Sequence, residues 1–432
     1  MKTLTGNQSA LAGLVIGVVV FFIVTTLLLG YTLESLDDED LLTASNDARM
    51  NTWGSRGKGL RSTVVPGLGL RRDFEQEHSY PSDLQAVVRK LHKPLPPTPS
   101  DVPYDIFNCP ENPPVGYPYA WKVLDILKEW NPDVTDLPNT IHQSLCVFDW
   151  TTEADKALRY REAELPFVVQ NHPELLKTAY RWQQPNYLEE LVGDREYRNE
   201  HSTSNHMMFW RTHHLAKRFI PSGWQSPTKD VGLTFQDWRR KAQELERKPD
   251  HTLEEHWYFR LNAAPQTNGG NSYQMYNELP IFEPSQAGFF MVDPAKARGI
   301  NCRFGMKGVI AEAHFDPSRN FVVLLGGQRR YILAHPSQCA NMELYPFRHP
   351  SGRHSSVDWS HPPASSEDRP FTQAVANELV LQAGDAMYLP TSWFHFIVSL
   401  NENYQCNARS GVTYENEHHI KKCGLGPQPA PV

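Results

Sequence analysis

The spacing of apolar side chains along the chain changes near residue 257. Between residues 119 and 255, apolar residues recur with a helical period in several stretches, which predicts α-helices. After residue 257, short apolar runs alternate with Gly, Asn and Pro, a pattern typical of strands in a β-sandwich or barrel. The order of the two patterns predicts one mainly β domain, in which a helical layer precedes and braces a barrel.

The individual elements follow from the same spacing. Helices are predicted at 120–130, 152–164, 174–182, 186–191 and 234–247. Strands are predicted at 166–169, 207–210, 257–261, 288–292, 302–306, 321–325, 330–334, 378–381, 386–389, 394–399 and 405–408. Residues 119–255 are therefore the predicted helical layer, and 256–412 are the predicted barrel.

The N-terminus carries a different pattern. Residues 11–29 contain no charged side chain, and a run of this length can cross a bilayer as a helix. It is longer than the apolar part of a typical cleavable signal peptide, so we predict a transmembrane signal anchor at 11–30. Lys2 precedes the span and the first basic residue after it is Arg49, which places the tail 1–10 in the cytosol. The predicted topology is type II, with the remaining chain in the lumen of the ER or Golgi or outside the cell.

Two further segments complete the predicted organisation. Residues 31–118 lack a sustained helical period apart from a short helix predicted at 82–91, and 93–118 are dense in proline, which favours an extended tether. Residues 413–432 are a predicted C-terminal tail. The tether is expected to hold the catalytic region away from the membrane.

Composition narrows the choice of partners. The net charge is −7, and Lys and Arg are spread along the chain rather than gathered into a block, so no nucleic-acid partner is expected. The six cysteines are widely spaced without a C-x-x-C pair, which argues against a zinc ribbon. Some would pair in a lumenal domain, but the sequence leaves the pairing open.

The candidate chemistry lies on the predicted strands. His314 and Asp316 are two residues apart, so in an extended segment both side chains point to one face. His395 lies between two phenylalanines in an apolar strand, where a lone histidine is more often a core residue than a ligand. Two histidines and one carboxylate on barrel strands nevertheless form the facial triad of non-haem Fe(II) oxygenases. Such a triad leaves coordination positions open for a bidentate co-substrate and O₂.

The order of the motifs around these residues resembles the JmjC or cupin-like family. Beginning at His314, the matching motifs are His-x-Asp, Asn-Phe, Gly-x-Arg-Arg-Tyr-Ile-Leu, Gly-Asp…Tyr-Leu-Pro and Trp-x-His. The likeness runs from about residue 164 to 411 and is closest to the branch that contains the asparaginyl hydroxylase of hypoxia-inducible factor. It implies a double-stranded β-helix (jelly roll), Fe(II), and 2-oxoglutarate as co-substrate. It also implies hydroxylation of a protein or peptide substrate.

The resemblance also implies roles for single residues. His314, Asp316 and His395 match the metal triad of the family. Asn320 and Asn407 match positions near the metal and co-substrate, and Tyr258 matches a tyrosine that hydrogen-bonds the distal carboxylate of 2-oxoglutarate.

Two positions depart from the members of that branch. Arg329 stands where they carry a lysine that pairs with the distal carboxylate, and Ala311 stands where they carry a threonine donor. A bidentate guanidinium can replace the lysine, whereas Ala311 leaves one hydrogen bond to the co-substrate unmade or supplied elsewhere. Both departures make 2-oxoglutarate binding a weaker expectation than iron binding.

Two alternatives to an enzymatic function stay open. One alternative is a binding module that keeps the fold without turnover, and the other is a cupin that holds Zn²⁺ or Mn²⁺.

Three other histidines are predicted to lie in a surface loop. They are His349, His354 and His361, which lie among Pro and Ser residues with irregular spacing.

Overall fold

The computed structural model describes residues 84–212, 215, 217–248, 255–263, 274–285 and 288–425. The predicted signal anchor at 11–30 and most of the predicted tether lie outside these residues. Among the helices that the structure does describe, none combines the length and the apolar character that a bilayer span requires.

The helices confirm most of the predicted helical layer. Asp149 and Thr234 each cap the N-terminus of a helix, because their side chains accept hydrogen bonds from the first-turn backbone amides of Thr151 and Asp237. The helices are α1 (Leu84–Leu91), α2 (Val123–Glu129), α3 (Trp150–Glu162), α4 (Pro173–Trp182), α5 (Tyr187–Val192), α6 (Phe235–Glu246), α7 (Gln274–Glu278) and α8 (Glu417–Lys422).

The strands form two sheets within the described ranges. They are β1 (Trp121–Lys122), β2 (Val147–Asp149), β3 (Phe167–Gln170), β4 (Glu196–Ser202), β5 (His206–Met207), β6 (Lys229–Thr234), β7 (His256–Ala263), β8 (Ala297–Gly305), β9 (Ile310–Phe315), β10 (Asn320–Gly326), β11 (Gln328–Ala334), β12 (Val375–Gln382), β13 (Ala386–Leu389), β14 (Phe394–Ser399) and β15 (Asn403–Ser410). The smaller sheet has the order β1-β12-β11-β14-β9-β5, and the larger has the order β2-β3-β13-β10-β15-β8-β7-β4-β6.

The strands β8 to β15 build the predicted jelly roll. The chain distributes them between the two sheets, so that β9, β11, β12 and β14 face β8, β10, β13 and β15. A hydrophobic core fills the space between the sheets and extends to the helices, and a second core covers the outer face of the smaller sheet. The structure is therefore mainly β, as predicted, and its barrel has an interior on which side chains of both sheets converge.

The N-terminal boundary of the globular part differs from the predicted one at residue 118. Ile106, Cys109 and Tyr117 are buried, and Cys109 forms a disulfide with Cys146. The Tyr117 hydroxyl donates a hydrogen bond to the carbonyl of Pro166, at the start of β3. The end of the predicted tether is thus packed onto the barrel, because apolar side chains among the prolines find a core to enter.

The six cysteines pair as Cys109–Cys146, Cys302–Cys406 and Cys339–Cys423. The second bridge connects β8 with β15, where Cys302 and Cys406 are direct cross-strand partners. Of the strand predicted at 207–210 only Met207 lies in a strand, β5, and the strand predicted at 288–292 does not form. Its phenylalanines instead pack edge-to-face against Trp150 and Phe321.

Candidate metal centre

The structure brings the three predicted metal ligands together at one end of the barrel. His314 on β9 and His395 on β14 are direct cross-strand partners. Asp316 follows β9 by one residue and is buried. One ligand atom from each side chain lies within 4.8 Å of the others. A single divalent cation could therefore contact all three.

Backbone carbonyls orient both imidazoles toward this point. The Nδ1 of His314 lies 2.6 Å from the carbonyl oxygen of Glu312, and the Nδ1 of His395 lies 3.0 Å from that of Trp393. A carbonyl only accepts, so each Nδ1 donates its proton and each Nε2 is left as the ligating nitrogen. The donor set of two imidazoles and one carboxylate fits a non-haem iron site.

The electrostatic surroundings keep these groups in their ligating forms. Burial lowers the pKa of His314 well below its usual range, and the neighbouring His395 and His354 lower it further. Burial also lowers the pKa of His395. Burial raises the pKa of Asp316, but Arg409, His395 and Arg353 together outweigh it, so the net shift is downward. Neutral imidazoles and an ionised carboxylate are the forms that bind a cation.

Arg409 is a member of the centre that the sequence did not reveal. Its Nη2 lies 2.6 Å from Oδ2 of Asp316, which fixes the orientation of that carboxylate. The signal that could have found it is the two-residue period of β15, since Arg409 lies two positions beyond Asn407 on the same face.

Asn320 and Asn407, the two asparagines predicted to lie near the metal, contact each other on the inward face of the larger sheet. The Nδ2 of Asn407 donates to Oδ1 of Asn320 at 2.9 Å, and both side chains are buried. Asn320 is the cross-strand partner of Arg409. The pair therefore lies beside the carboxylate ligand, on the face that points into the barrel.

Arg329 lies deeper in the barrel and is completely buried. Its Nη1 donates to Tyr258 Oη at 3.2 Å and to Gln405 Oε1 at 2.6 Å, and its Nη2 donates to the carbonyl of Arg303 at 2.9 Å. Its Nε bonds the side-chain oxygen of Asn403. Every one of these acceptors is neutral, and no carboxylate of the described residues pairs with this guanidinium.

Ala311 stands in place of the threonine donor, and Tyr331 carries a hydroxyl on the same inward face. Ala311 faces Ile397 across β9 and β14 and offers no hydroxyl. Tyr331 lies on β11 two residues beyond Arg329, and its buried hydroxyl bonds Gln405 Oε1, the atom that also accepts from Arg329. A tyrosine hydroxyl is therefore present on the same inward face, at a residue that the sequence interpretation did not single out.

The prediction of a surface loop is wrong for His354. This side chain is 3% exposed and stacks on His314, with ring centroids 4.9 Å apart. The two residues also form an isolated β-bridge. His361 is exposed, as predicted, whereas His349 is partly buried against Tyr345. The loop thus supplies one wall of the metal centre.

Comparison with known proteins agrees with this architecture. The family model described as "Cupin-like domain" matches residues 156–408. Lysine-specific demethylase 8 of Xenopus tropicalis is 33% identical over 106 residues, which is 24% of this chain and 23% of that protein. JmjC domain-containing protein D of Dictyostelium discoideum is 32% identical over 107 residues, with 24% and 23% covered.

A third relative matches over a longer stretch. tRNA wybutosine-synthesizing protein 5 of Gallus gallus is 23% identical over 232 residues, which is 54% of this chain and 66% of that protein. The chain spans less than a quarter of the length of the first two relatives and just under two thirds of the third.

Proposed function

Because the chain belongs to the cupin-like domain family, we propose that it is an Fe(II)- and 2-oxoglutarate-dependent oxygenase that hydroxylates a protein side chain. The observation that carries the proposal is the convergence of His314, Asp316 and His395, with both imidazoles oriented by backbone carbonyls. The JmjC and demethylase names of the relatives support an oxidative chemistry for this chain.

The metal would be held by Nε2 of His314, Nε2 of His395 and the carboxylate of Asp316. Fe(II) bound there would supply the activation of O₂ and the oxidative decarboxylation of 2-oxoglutarate. Arg409 holds Oδ2 of Asp316 and so fixes this carboxylate beside His395, whose Nε2 lies 3.9 Å from the same oxygen. His354 packs over His314 and excludes water from that side.

Arg329 is the proposed partner of the distal carboxylate of 2-oxoglutarate. A buried guanidinium without a counterion is costly, so the pocket around it favours an anion. Tyr258 lies 3.2 Å from Arg329 and can turn its hydroxyl to donate to the same carboxylate. Tyr331 offers a further hydroxyl in place of the threonine that Ala311 lacks.

We also propose that the catalytic region lies in an oxidising compartment, with residues 11–30 as a type II signal anchor. All six cysteines are disulfide-bonded, and such bridges persist in secreted and lumenal proteins but rarely in the cytosol. In sealed microsomes, the C-terminal region should resist protease until detergent is added. Digestion in intact vesicles would contradict this topology.

Metal titration tests the centre itself. Under anaerobic conditions the protein should bind one equivalent of Fe(II), because its three ligands converge on one point. His314→Ala, Asp316→Ala and His395→Ala should each abolish stoichiometric binding, whereas His361→Ala, on an exposed side chain, should retain it. Loss of iron in His361→Ala with retention in His395→Ala would show that the ligands are misassigned.

Co-substrate turnover separates the enzyme from the alternatives. The iron-loaded protein should bind 2-oxoglutarate and release succinate in the presence of O₂, because the open coordination positions accept both. Iron binding without 2-oxoglutarate binding would favour a binding module or a cupin with another metal chemistry.

A further inference from the structure

A row of arginines lines the inward face of the larger sheet beside the metal centre. Arg260 on β7 is the direct cross-strand partner of Arg303 on β8, and Arg303 is the partner of Gln405 on β15. Directly paired residues lie on one face of a sheet. This is the face of Gln405, which bonds Arg329, and of Arg409, which bonds Asp316. The row therefore runs across β7, β8 and β15, the strand that carries Arg409 beside the metal ligand Asp316.

The charges in this row are not balanced. Arg260 pairs with the buried Glu200, and Arg409 pairs with Asp316. Arg303 bonds only neutral acceptors, Oδ1 of Asn262 at 3.2 Å and its neighbour's carbonyl at 3.0 Å. No carboxylate from the part of the chain that the structure describes forms an ion pair with it. Glu200 also attracts Arg303 without an ion pair, but the three arginines Arg260, Arg303 and Arg409 share only two carboxylates, Glu200 and Asp316.

An anion bound at this row would relieve the repulsion between its arginines. Like charges directly opposite each other on neighbouring strands are destabilising, and Arg260 faces Arg303 in that way. Burial and the charge of Arg260 lower the pKa of Arg303 well below its usual range, although the charge of Glu200 acts in the opposite direction. The protein as a whole carries a net charge of −7, so the basic row is a local feature and not a general excess of arginine.

An aromatic side chain borders the row. The guanidinium of Arg260 lies 5.8 Å from the ring of Phe209, and that of Arg211 lies 6.0 Å from the same ring. Phe209 follows β5, which pairs with the metal strand β9. The row of arginines therefore has an apolar ring beside Arg260, and a guanidinium next to such a ring suits an anionic group on a short hydrocarbon stem.

We propose that Arg303, assisted by Arg260, binds an acidic side chain of a peptide substrate and so positions a neighbouring residue at the metal. This inference rests on the proposed oxygenase function and adds the substrate class, an Asp- or Glu-containing segment. A planar guanidinium matches a carboxylate in a bidentate manner. Nucleic acid is the less suitable ligand, because it requires an extended basic track and the chain is acidic overall.

Peptide binding to the full-length protein in mild detergent tests the proposal. The protein is loaded with Mn(II) and 2-oxoglutarate, and fluorescence anisotropy follows a short peptide of alternating Glu and Ala. Matched peptides carry Gln or Lys in place of Glu, and a single-stranded oligouridylate represents nucleic acid. The Glu peptide should bind best, and its affinity should fall as salt is raised.

Variants of Arg303 then locate the binding site. Arg303→Gln should weaken the Glu peptide about tenfold, the loss expected for one charge-assisted contact, and Arg303→Lys should keep part of it. Arg240→Gln, on the exposed side of α6, is the matched control and should change nothing. Affinities for Mn(II) and 2-oxoglutarate, measured without peptide, should be the same in all four proteins.

Several results would overturn the proposal. Equal affinities for the Glu and Gln peptides would contradict it, and so would stronger binding of the oligouridylate. An Arg303→Gln variant with unchanged affinity for the Glu peptide would also contradict it. Weaker 2-oxoglutarate binding in Arg303→Gln would assign this arginine to the co-substrate pocket instead. Failure of the unmodified protein to bind Mn(II) or 2-oxoglutarate would count against the proposed function, independently of the peptide result.

Discussion

Arg329 and Arg330 are consecutive residues of β11, equally buried, yet they lie in opposite environments. Arg330 points to the outer face of the smaller sheet, where its Nε donates to Glu378 at 2.7 Å and its Nη1 donates to the carbonyl of Trp130 at 2.8 Å. Its guanidinium also lies 4.2 Å from the Trp130 ring. Arg329 points into the barrel and has only neutral acceptors.

The difference separates a structural charge from a functional one. Arg330 carries its own counterion, Glu378, so its charge is balanced within the folded chain. Arg329 has its hydrogen bonds satisfied but its charge is left unbalanced, a state that favours binding of an anion from outside. The presence or absence of a protein carboxylate therefore distinguishes two arginines whose burial is the same.

The largest effect is expected from removing the counterion of Arg330. Glu378→Gln leaves a buried guanidinium without a charge partner, and breaking such a pair costs about 3–5 kcal/mol of unfolding free energy. Urea denaturation measures this loss. Glu244→Gln is the matched control, because its ion pair on α6 is exposed and contributes little. A loss no greater than that of the control would show that Arg330 does not depend on Glu378.

Arg329→Ala should act on ligand binding more than on folding. Losing a buried charged partner costs about 2–5 kcal/mol, so the affinity for 2-oxoglutarate should fall at least about 30-fold. Iron binding should be retained, and Arg329→Lys should recover part of the affinity. Calorimetric titration of 2-oxoglutarate and a melting curve measure the two effects side by side. A lowered melting temperature with intact 2-oxoglutarate affinity would make Arg329 structural, like its neighbour.

The ion pair between Arg330 and Glu378 also predicts a pH dependence of the unfolding free energy. Burial raises the pKa of Glu378, but Arg330 and the hydrogen bonds from His142 together lower it by more, so the folded value lies below the ordinary value of 4.5. A carboxyl group whose pKa is lowered by folding stabilises the fold above its unfolded pKa. This contribution is lost as the pH falls through the folded pKa. The unfolding free energy should therefore decline below about pH 4.5. Glu378→Gln should decline less steeply, and equal slopes would exclude Glu378 as the source.

The sequence predicted the fold where the pattern was local. The amphipathic spacing of α4 and the short apolar runs of β11 and β14 need no distant partner to be recognised, and Arg329 was identified through the order of motifs. Arg409 and Arg303 were missed, because their function depends on strand register across β8, β10 and β15. His354 was misassigned because Pro and Ser around it suggested a surface loop, whereas its contact with His314 is long-range.

The smallest effect should come from replacing the whole structural pair. In Arg330→Met with Glu378→Leu, no charge remains buried on the outer face of β11, and apolar side chains of similar length enter the existing core around Trp130. Replacing a buried ion pair in this way is often neutral or stabilising by about 1–4 kcal/mol, in contrast to the loss from either partner alone. Urea denaturation should therefore place the double variant near the unmodified protein and well above Glu378→Gln. Its affinity for 2-oxoglutarate should be unchanged, because Arg329 faces the other side of the sheet. A double variant as unstable as Glu378→Gln, or one that loses 2-oxoglutarate binding, would show that the two faces of β11 are not independent.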